Sequence, residues 1–235
     1  MTAPRNSRGD DAGAALGDLL ALCERRPVWA PDPERAFTPV PGRRVRQSAV
    51  LVLFGVLDQA PARTGHPLVA RDLDVLLTRH SPTLNHHPGQ VSFPGGGIDP
   101  DDAGPQAAAL REAQEETGVV PSGVRVLGTL PPLPVTVSRN LVTPVLAWWT
   151  TPSAVAAADP AETVDVFRAP VADLVDPRNR ATAVLRRGLR EHRGPAFTVQ
   201  GVVVWGFTAY VLDRLCEALG WAVPWDTDRT VPAPL

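Results

Sequence analysis

The stretch that decides the fold is FPGGGIDPDDAGPQAAALREAQEETGV, residues 93–119. Three consecutive glycines stand near its start, and a short loop leads from them to residues 106–117, whose composition predicts a helix. Gly118 follows at the place where a glycine commonly ends a helix. The stretch therefore predicts a glycine-rich turn that delivers the chain into a short helix.

The predicted helix carries three glutamates close together. Glu112 has Glu115 and Glu116 as neighbours one turn further on, because residues three and four apart share a helix face. Taken alone, such a run fits a solvated acidic face. Its context favours a metal site instead: clustered carboxylates suit Mg²⁺ or Mn²⁺, the preceding glycines let the backbone approach a ligand, and Arg111 offers a bidentate fork for a carboxylate.

Length and composition exclude several classes of protein. The 235 residues, of which 44% are hydrophobic, suffice for one large domain or a domain with extensions, and the net charge of -2 gives no general attraction to nucleic acid or to an anionic membrane. Asp10, Asp11 and Asp18 interrupt any apolar leader, so we expect a cytoplasmic protein. Cys23 and Cys216 lie far apart, and we expect buried free thiols rather than a disulfide.

The rest of the chain alternates strands with a few helices. Helices are predicted at 12–26 and 207–220, with a proline-rich connector after the first. Strands are predicted at 48–57, 73–79, 124–130, 141–149, 162–167 and 197–206. This order is typical of a layered α/β or α+β domain. Trp148, Trp149 and Trp205 lie in apolar strand runs and are predicted to pack in the core or at its rim.

The end of the deciding stretch resembles the Nudix box, the signature of hydrolases that cleave a nucleoside diphosphate linked to another group. The pattern is Gly-x5-Glu-x7-Arg-Glu-hydrophobic-x-Glu-Glu-x-Gly-hydrophobic. Its second half is filled by Arg111, Glu112, Ala113, Glu115, Glu116, Gly118 and Val119. The first half departs: strict counting puts Gly97 and Ala103 at the glycine and the first glutamate, whereas one inserted residue puts Gly96 and Asp102 there. We prefer the second alignment because it keeps an acid.

The preceding segment, LLTRHSPTLNHHPGQVSFPGG at 76–96, resembles the motif beside the box in coenzyme A pyrophosphatases. That motif is Leu-Leu-Thr-x-Arg-Ser/Ala-x3-Arg-x3-Gly-x3-Phe-Pro-Gly-Gly. The matching positions are Leu76, Leu77, Thr78, Ser81, Gly89, Phe93, Pro94, Gly95 and Gly96. His80 and Asn85 stand where the motif has arginines, which leaves Arg79, His86 and His87 as substitute donors or as parts of a polar loop with no chemical role.

The resemblance spans about residues 46–215 and implies the organisation of the chain. We expect a Nudix domain at 46–220, an N-terminal helix and connector at 1–45, and a C-terminal tail at 221–235. The expected fold is of the α/β (α+β) class, an α/β/α sandwich with a mixed β-sheet and an N-terminal helical extension.

The implied activity is metal-dependent hydrolysis of the pyrophosphate bond of coenzyme A to 3′,5′-ADP and 4′-phosphopantetheine, with oxidised CoA and acyl-CoA as further substrates. The implied ligands of Mg²⁺ or Mn²⁺ are Glu112, Glu115, Glu116 and the carbonyl of Gly96. A divalent ion neutralises the phosphates and lowers the pKa of bound water. The implied partner is a small molecule, with neither nucleic acid nor membrane.

Roles in catalysis and substrate binding are assigned by the same resemblance. Glu115 and Glu162 are alternative general bases, Glu162 having the further interpretation of an exposed loop-end residue, and Arg111 is assigned to the catalytic set. The predicted substrate contacts are Arg79, His80 and Gly95.

Two alternative functions stay open. One is a Nudix hydrolase of ADP-ribose, a dinucleoside polyphosphate or an oxidised nucleotide, which His80 and Asn85 support. The other is a non-catalytic nucleotide sensor, which the intact second half of the box opposes.

Overall fold

The computed structural model describes residues 7–25, 27, 29, 45–57, 73–83, 89–135, 139–159, 161–188 and 190–234. Its helices are α1 Ser7–Arg25, α2 Pro105–Thr117, α3 Val171–Val175 and α4 Gly206–Ala218. Its strands are β1 Arg46–Val56, β2 Leu73–His80, β3 Val91–Ser92, β4 Gly95–Gly97, β5 Val124–Thr129, β6 Leu133–Val135, β7 Asn140–Trp149, β8 Thr163–Pro170, β9 Arg180–Arg187, β10 Arg190–Val199, β11 Val202–Val204 and β12 Thr230–Pro232.

The larger sheet is mixed, as expected. Its strands run in the order β3-β2-β1-β7-β5, while β4 pairs with β1, β6 with β7 and β8 with β2. The two long central strands, β1 and β7, are parallel, and β1 is antiparallel to β2 and β4. The start of β1 therefore lies beside the glycine strand β4, which fixes where the deciding stretch meets the sheet.

Alternate residues of the central strands pack against two different layers, because successive strand side chains point to opposite faces. On one face, Leu51 and Leu53 pack in a buried cluster with Ala109 and Ala113 of α2. On the other face, a second cluster joins the sheet to α1 and α4, with Leu19, Leu22, Val52, Phe54, Leu146, Leu212 and Leu215 among its members. The expected α/β/α sandwich with an N-terminal helix is confirmed.

A smaller sheet, in the order β11-β10-β9-β12, was not expected in this form. The single strand predicted at 197–206 is wrong: β10 ends at Val199, and β11 returns antiparallel from Val202. Gln200 and Gly201 have φ angles of 50° and 81°, the pair of positive values that a tight hairpin turn requires. The local Gln-Gly pair thus overrides the continuous run of β-branched residues.

The C-terminal segment supplies the last strand of this sheet. β12 pairs in parallel with β9, placing Val231 opposite Ala183. It lies within the stretch assigned from sequence to a C-terminal tail. In the part of the chain that the structure describes, no helix is both long and apolar enough to cross a membrane.

Several smaller predictions can be compared with the described residues. Trp148 and Trp149 are buried in β7, as predicted, and Trp205 is half-buried against the smaller sheet. Cys216 is a buried free thiol, whereas Cys23 is free but only half-buried.

Candidate active site

The glycine strand β4 lies unusually close to β1. Gly95 is opposite Val50 and Gly96 is opposite Ala49. A Cβ at Gly95 would stand 2.3 Å from the carbonyl oxygen of Ala49, well inside van der Waals contact. The pairing therefore requires glycine at position 95 and brings the backbone of the next residue next to α2.

The helix α2 presents its glutamates to this strand because its opposite face is made of small residues. Ala108, Ala109 and Ala113 are fully buried against the sheet, which lets the helix approach closely. At its end, the N–H of Gly118 donates to the carbonyl of Gln114 (2.9 Å), and Gly118 has a φ of 72°. The predicted glycine cap is confirmed.

Two of the three glutamates converge on adjacent glycines. A Cβ at Gly96 would stand 2.4 Å from the carboxyl carbon of Glu112. The N–H of Gly95 donates to Oε2 of Glu116 (3.3 Å). Glu115 differs, since its side chain is 58% exposed and points to Arg111. Among the described residues, no three acidic, histidine or cysteine side chains gather around one point that would hold a metal ion.

Arg111 connects the glutamates to the preceding loop. Its Nε and Nη2 donate to the two carboxylate oxygens of Asp102 at 3.2 and 3.0 Å, and Nη2 also donates to the carbonyl of Gly97 (3.1 Å). Ion pairs of 3.0 Å to Glu112 and 3.1 Å to Glu115 complete its contacts with the helix. Arg111 thus orients Glu112, and a bidentate ion pair with Asp102 fixes the position of Arg111.

The contacts of Asp102 support the alignment with one inserted residue. The side chain of Asp102 is only 8% exposed, and its Oδ2 also accepts from the N–H of Asp99 (2.8 Å). The hydrogen bond from Arg111 lowers the pKa of Asp102, and the backbone N–H of Asp99 lowers it further. Asp102 is therefore an ionised support for Arg111, whereas Ala103 has no side-chain group able to do this.

The carboxylates on α2 are partly buried and repel one another, and a bound cation would stabilise their charged forms. The pKa of Glu116 is raised from 4.5 to about 7, mainly by burial and also by repulsion from Glu112, Glu162 and Glu115, while the Gly95 hydrogen bond opposes the shift. Burial also raises the pKa of Glu112, although Arg111 opposes the shift. No arginine pairs with Glu116 among the described residues.

The oxygen atoms gathered at this site fit a hard divalent cation. The carboxylates of Glu112 and Glu116 lie against a glycine backbone in a cradle that a side chain at position 96 would fill. Carboxylate and carbonyl oxygens are the ligands that Mg²⁺ and Mn²⁺ prefer.

Glu162 lies immediately before β8 and is exposed. Its carbonyl accepts from the N–H of Ser81 (2.8 Å), and the following residue, Thr163, pairs with His80. Its charge contributes to the raised pKa of Glu116, so the two carboxylates are electrostatic neighbours although they are far apart in sequence. The fold thus brings the second proposed base to the end of α2 that carries Glu116.

The residues assigned to substrate contact lie at the end of β2. Arg79 is half-buried and pairs through its backbone with Val91 and Asp165. The Nε2 of His80 is 2.9 Å from the hydroxyl of Ser92, which is itself 2.9 Å from the hydroxyl of Thr78.

Sequence reasoning missed Ser92 as a partner of His80. The only available signal was a small polar residue between Val91 and Phe93 in a short apolar run. Asn85, which replaces a motif arginine, and the candidate donors His86 and His87 lie outside the described residues.

Comparison with known proteins finds similarity to a single family. A family model described as the NUDIX domain matches residues 60–192. The chain is 38% identical over 187 residues to "Uncharacterized Nudix hydrolase NudL" of Klebsiella pneumoniae (strain 342), covering 77% of this chain and 88% of that protein. It is 39% identical over 166 residues to the protein of the same name from Cronobacter sakazakii, covering 70% and 85% respectively.

A solved structure shares the fold. The match to "a Nudix Hydrolase from M. Smegmatis, RenU" has a TM-score of 0.50 at 17% identity and covers 77% of this chain and 90% of that one.

Proposed function

This chain belongs to the Nudix family, and we propose that it is a metal-dependent pyrophosphohydrolase whose substrate is coenzyme A. The observation that carries the hydrolase proposal is the convergence of Glu112 and Glu116 on the adjacent glycines 95 and 96, with Arg111 anchored behind them by Asp102. Nudix hydrolases generally use divalent metals such as Mg²⁺ or Mn²⁺.

We propose that Glu112, Glu116 and the carbonyl of Gly96 hold the metal ion. When bound, the ion supplies neutralisation of the phosphates and a lowered pKa for the attacking water. Arg111 keeps Glu112 in place through its 3.0 Å ion pair, and Asp102 keeps Arg111 in place. Glu115 is the less suitable ligand because its carboxylate is 58% exposed and paired with Arg111.

For the general base, the contacts favour Glu162 over Glu115. The Arg111 guanidinium donates to Oε2 of Glu115 at 3.1 Å, and this ion pair stabilises the charged carboxylate and makes it a weaker proton acceptor. Glu162 is exposed and lies within electrostatic reach of Glu116. We therefore assign proton acceptance from the attacking water to the Glu162 carboxylate, with Glu115 as a support for Arg111.

The choice of coenzyme A depends on the segment before the box. Its leucines and its Phe-Pro-Gly-Gly match the coenzyme A pyrophosphatase motif, and the segment ends in Gly95, which donates to Glu116, and Gly96, which leaves room for the Glu112 carboxylate. Arg79 is the nearest arginine to the positions where His80 and Asn85 depart from that motif. We assign Arg79 to the 3′-phosphate of coenzyme A, because a guanidinium meets a phosphate dianion with two hydrogen bonds.

The first test is product analysis. The protein is incubated with coenzyme A and Mg²⁺ or Mn²⁺, and the products are identified by mass spectrometry. We expect 3′,5′-ADP and 4′-phosphopantetheine. A wild-type protein that prefers ADP-ribose or a dinucleoside polyphosphate would overturn the substrate assignment, and nucleotide binding without turnover would favour the sensor.

The second test concerns Arg79→Ala. Losing a charge-assisted hydrogen bond costs about 1.5–3 kcal/mol, which corresponds to about a ten- to hundredfold loss of catalytic efficiency. The loss should affect coenzyme A more than dephospho-CoA, which lacks the 3′-phosphate. Arg125→Ala is the matched control, since Arg125 is exposed on β5 at the other edge of the larger sheet. An unchanged ratio of the two efficiencies would rule out Arg79 as the phosphate contact.

A further inference from the structure

The three consecutive glycines of β4 meet quite different surroundings. A Cβ at Gly95 would meet backbone atoms, the carbonyl oxygen of Ala49 at 2.3 Å and the Cα of Val50 at 2.6 Å. The three atoms nearest to a Cβ at Gly96 would all belong to the carboxylate of Glu112, at 2.4 to 2.6 Å. A Cβ at Gly97 would meet nothing within 4 Å.

We propose that Gly96 is a positioning residue whose missing side chain sets the place of the Glu112 carboxylate at the metal site. This inference rests on the proposed function in one respect, namely that Glu112 is a metal ligand. The requirement for glycine at position 96 is separate from any role of its carbonyl as a metal ligand. An alanine there would keep the carbonyl, but its Cβ would fill the volume that the Glu112 carboxylate occupies.

The contacts explain why this requirement is functional rather than structural. The atoms that a Cβ at position 96 would strike are the far end of a flexible side chain, which can rotate aside without moving the backbone. Arg111, 3.0 Å from Oε1 of Glu112, is positioned to hold the displaced carboxylate. Gly96→Ala should therefore leave the sheet intact and move one ligand away from the metal.

The neighbouring glycines make the opposite predictions. At Gly95 the obstacle is the backbone of β1, so a side chain there must separate the two strands. At Gly97 there is open space, although its carbonyl accepts from Arg111 as that of any residue would. The three positions should thus separate into loss of folding, loss of metal and no effect.

The experiment measures metal binding without substrate. The Mn²⁺ affinity of wild type, Gly96→Ala and Gly97→Ala is determined by titration calorimetry, and thermal unfolding is recorded in chelator. Disturbing a group that orients a metal ligand typically weakens metal affinity about 10–100-fold. We expect that loss for Gly96→Ala, an unchanged affinity for Gly97→Ala, and wild-type melting of both variants in chelator.

A double-mutant cycle identifies the route of the effect. Glu112→Ala removes the carboxylate that the new Cβ would strike, so adding Gly96→Ala to it should cause no further loss of Mn²⁺ affinity. If Gly96→Ala lowers the Mn²⁺ affinity of Glu112→Ala as much as that of wild type, the proposal is overturned. It is also overturned if Gly96→Ala alone keeps the wild-type Mn²⁺ affinity or melts at a lower temperature in chelator.

The outcomes also separate this inference from the proposed function. A wild-type protein that binds no Mn²⁺ would overturn both. A protein that binds Mn²⁺ but does not cleave coenzyme A would overturn only the substrate assignment, because the cycle involves no nucleotide.

Discussion

Arg180 in the smaller sheet and the carboxylates of α2 both place charge inside the protein, but the chain compensates them differently. The side chain of Arg180 is 1% exposed and pairs with Asp213 of α4. Its guanidinium carbon lies 4.3 Å from the ring centroid of Phe197 and 4.6 Å from that of Trp225. A single positive charge thus meets one carboxylate and two aromatic faces, each of which attracts a cation.

The carboxylate cluster of α2 lacks such a balance. Glu112, Glu115 and Glu116 of α2 and Asp99 and Asp102 of the preceding loop contribute five carboxylates, and Arg111 is the one guanidinium that the described contacts place among them. Burial is the main cause of the raised pKa of Glu116, and repulsion from Glu112, Glu162 and Glu115 adds to it. The difference teaches that the charge of Arg180 is balanced by groups of the chain itself, although its buried Nε has no hydrogen-bond partner among the described residues, whereas the α2 cluster is arranged for a cation that the chain does not supply.

The largest expected effect is on stability and tests how far Arg180 and Asp213 balance each other's charge. Arg180→Met keeps much of the side-chain volume but leaves Asp213, whose side chain is 16% exposed, without its partner. Breaking a buried ion pair from one side costs about 3–5 kcal/mol. We expect a loss of that order in the free energy of unfolding, measured by denaturant titration.

Arg214→Met is the matched control, because Arg214 lies on α4 next to Asp213, the partner of Arg180. Arg214 pairs with Glu217 across one turn, and both side chains are about half exposed (44% and 52%). Exposed pairs contribute about 0–1 kcal/mol. Equal losses in the two variants would show that the Arg180 cluster is no more than another surface pair.

The second prediction tests the incompleteness of the α2 cluster. Glu116→Gln keeps the size of the side chain but removes a proposed metal-ligand charge. We expect turnover to fall at least about 100-fold, as when one preorganised electrostatic element is lost, while the protein remains folded. The measurement is steady-state hydrolysis of coenzyme A, with Glu217→Gln as the control on an exposed helix face. Near-normal turnover would show that the three glutamates form only a solvated acidic helix face.

The two regions also differ in how far sequence alone predicts them. The helix was predicted at 106–117 and is observed at 105–117 with its Gly118 cap, because small apolar residues, charges and a terminal glycine are local signals. Asp102 was placed at an acidic position of the box by the alignment with one inserted residue, but its pairing with Arg111, nine residues further on, was not predicted.

The Arg180 cluster depends on contacts that no local pattern encodes. Arg180 and Asp213 are 33 residues apart, and Trp225 reaches them from the C-terminal segment. From sequence alone, an arginine at the start of β9 is predicted to be exposed, because its burial depends on packing against β10 and α4. The partnership of His80 with Ser92 was missed for the same reason, since it needs the pairing of β2 with β3.

The direction of the pH dependence follows from Glu116. Its pKa is raised from 4.5 to about 7 by folding, so the folded protein binds a proton between these values that the unfolded chain has released. The stabilisation from this proton is fully present below about pH 4.5 and is lost as the pH rises through about 7. Without metal, the α2 cluster should therefore weaken the protein as the solution becomes more alkaline.

The smallest expected effect is this loss of stability, measured in chelator by denaturant unfolding at pH 5 and at pH 8. One pKa unit corresponds to about 1.4 kcal/mol, and partial exposure of the carboxylate reduces the full value, so we expect a difference of about 1–2 kcal/mol. Glu116→Gln has no proton to lose and should show less of this decline, which isolates Glu116 from every other titrating group. Saturating Mn²⁺ should remove the decline in wild type, because the cation replaces the proton as the partner of the carboxylate. If wild type and Glu116→Gln lose stability equally between pH 5 and pH 8, the α2 cluster is compensated after all, and its contrast with the Arg180 cluster does not hold.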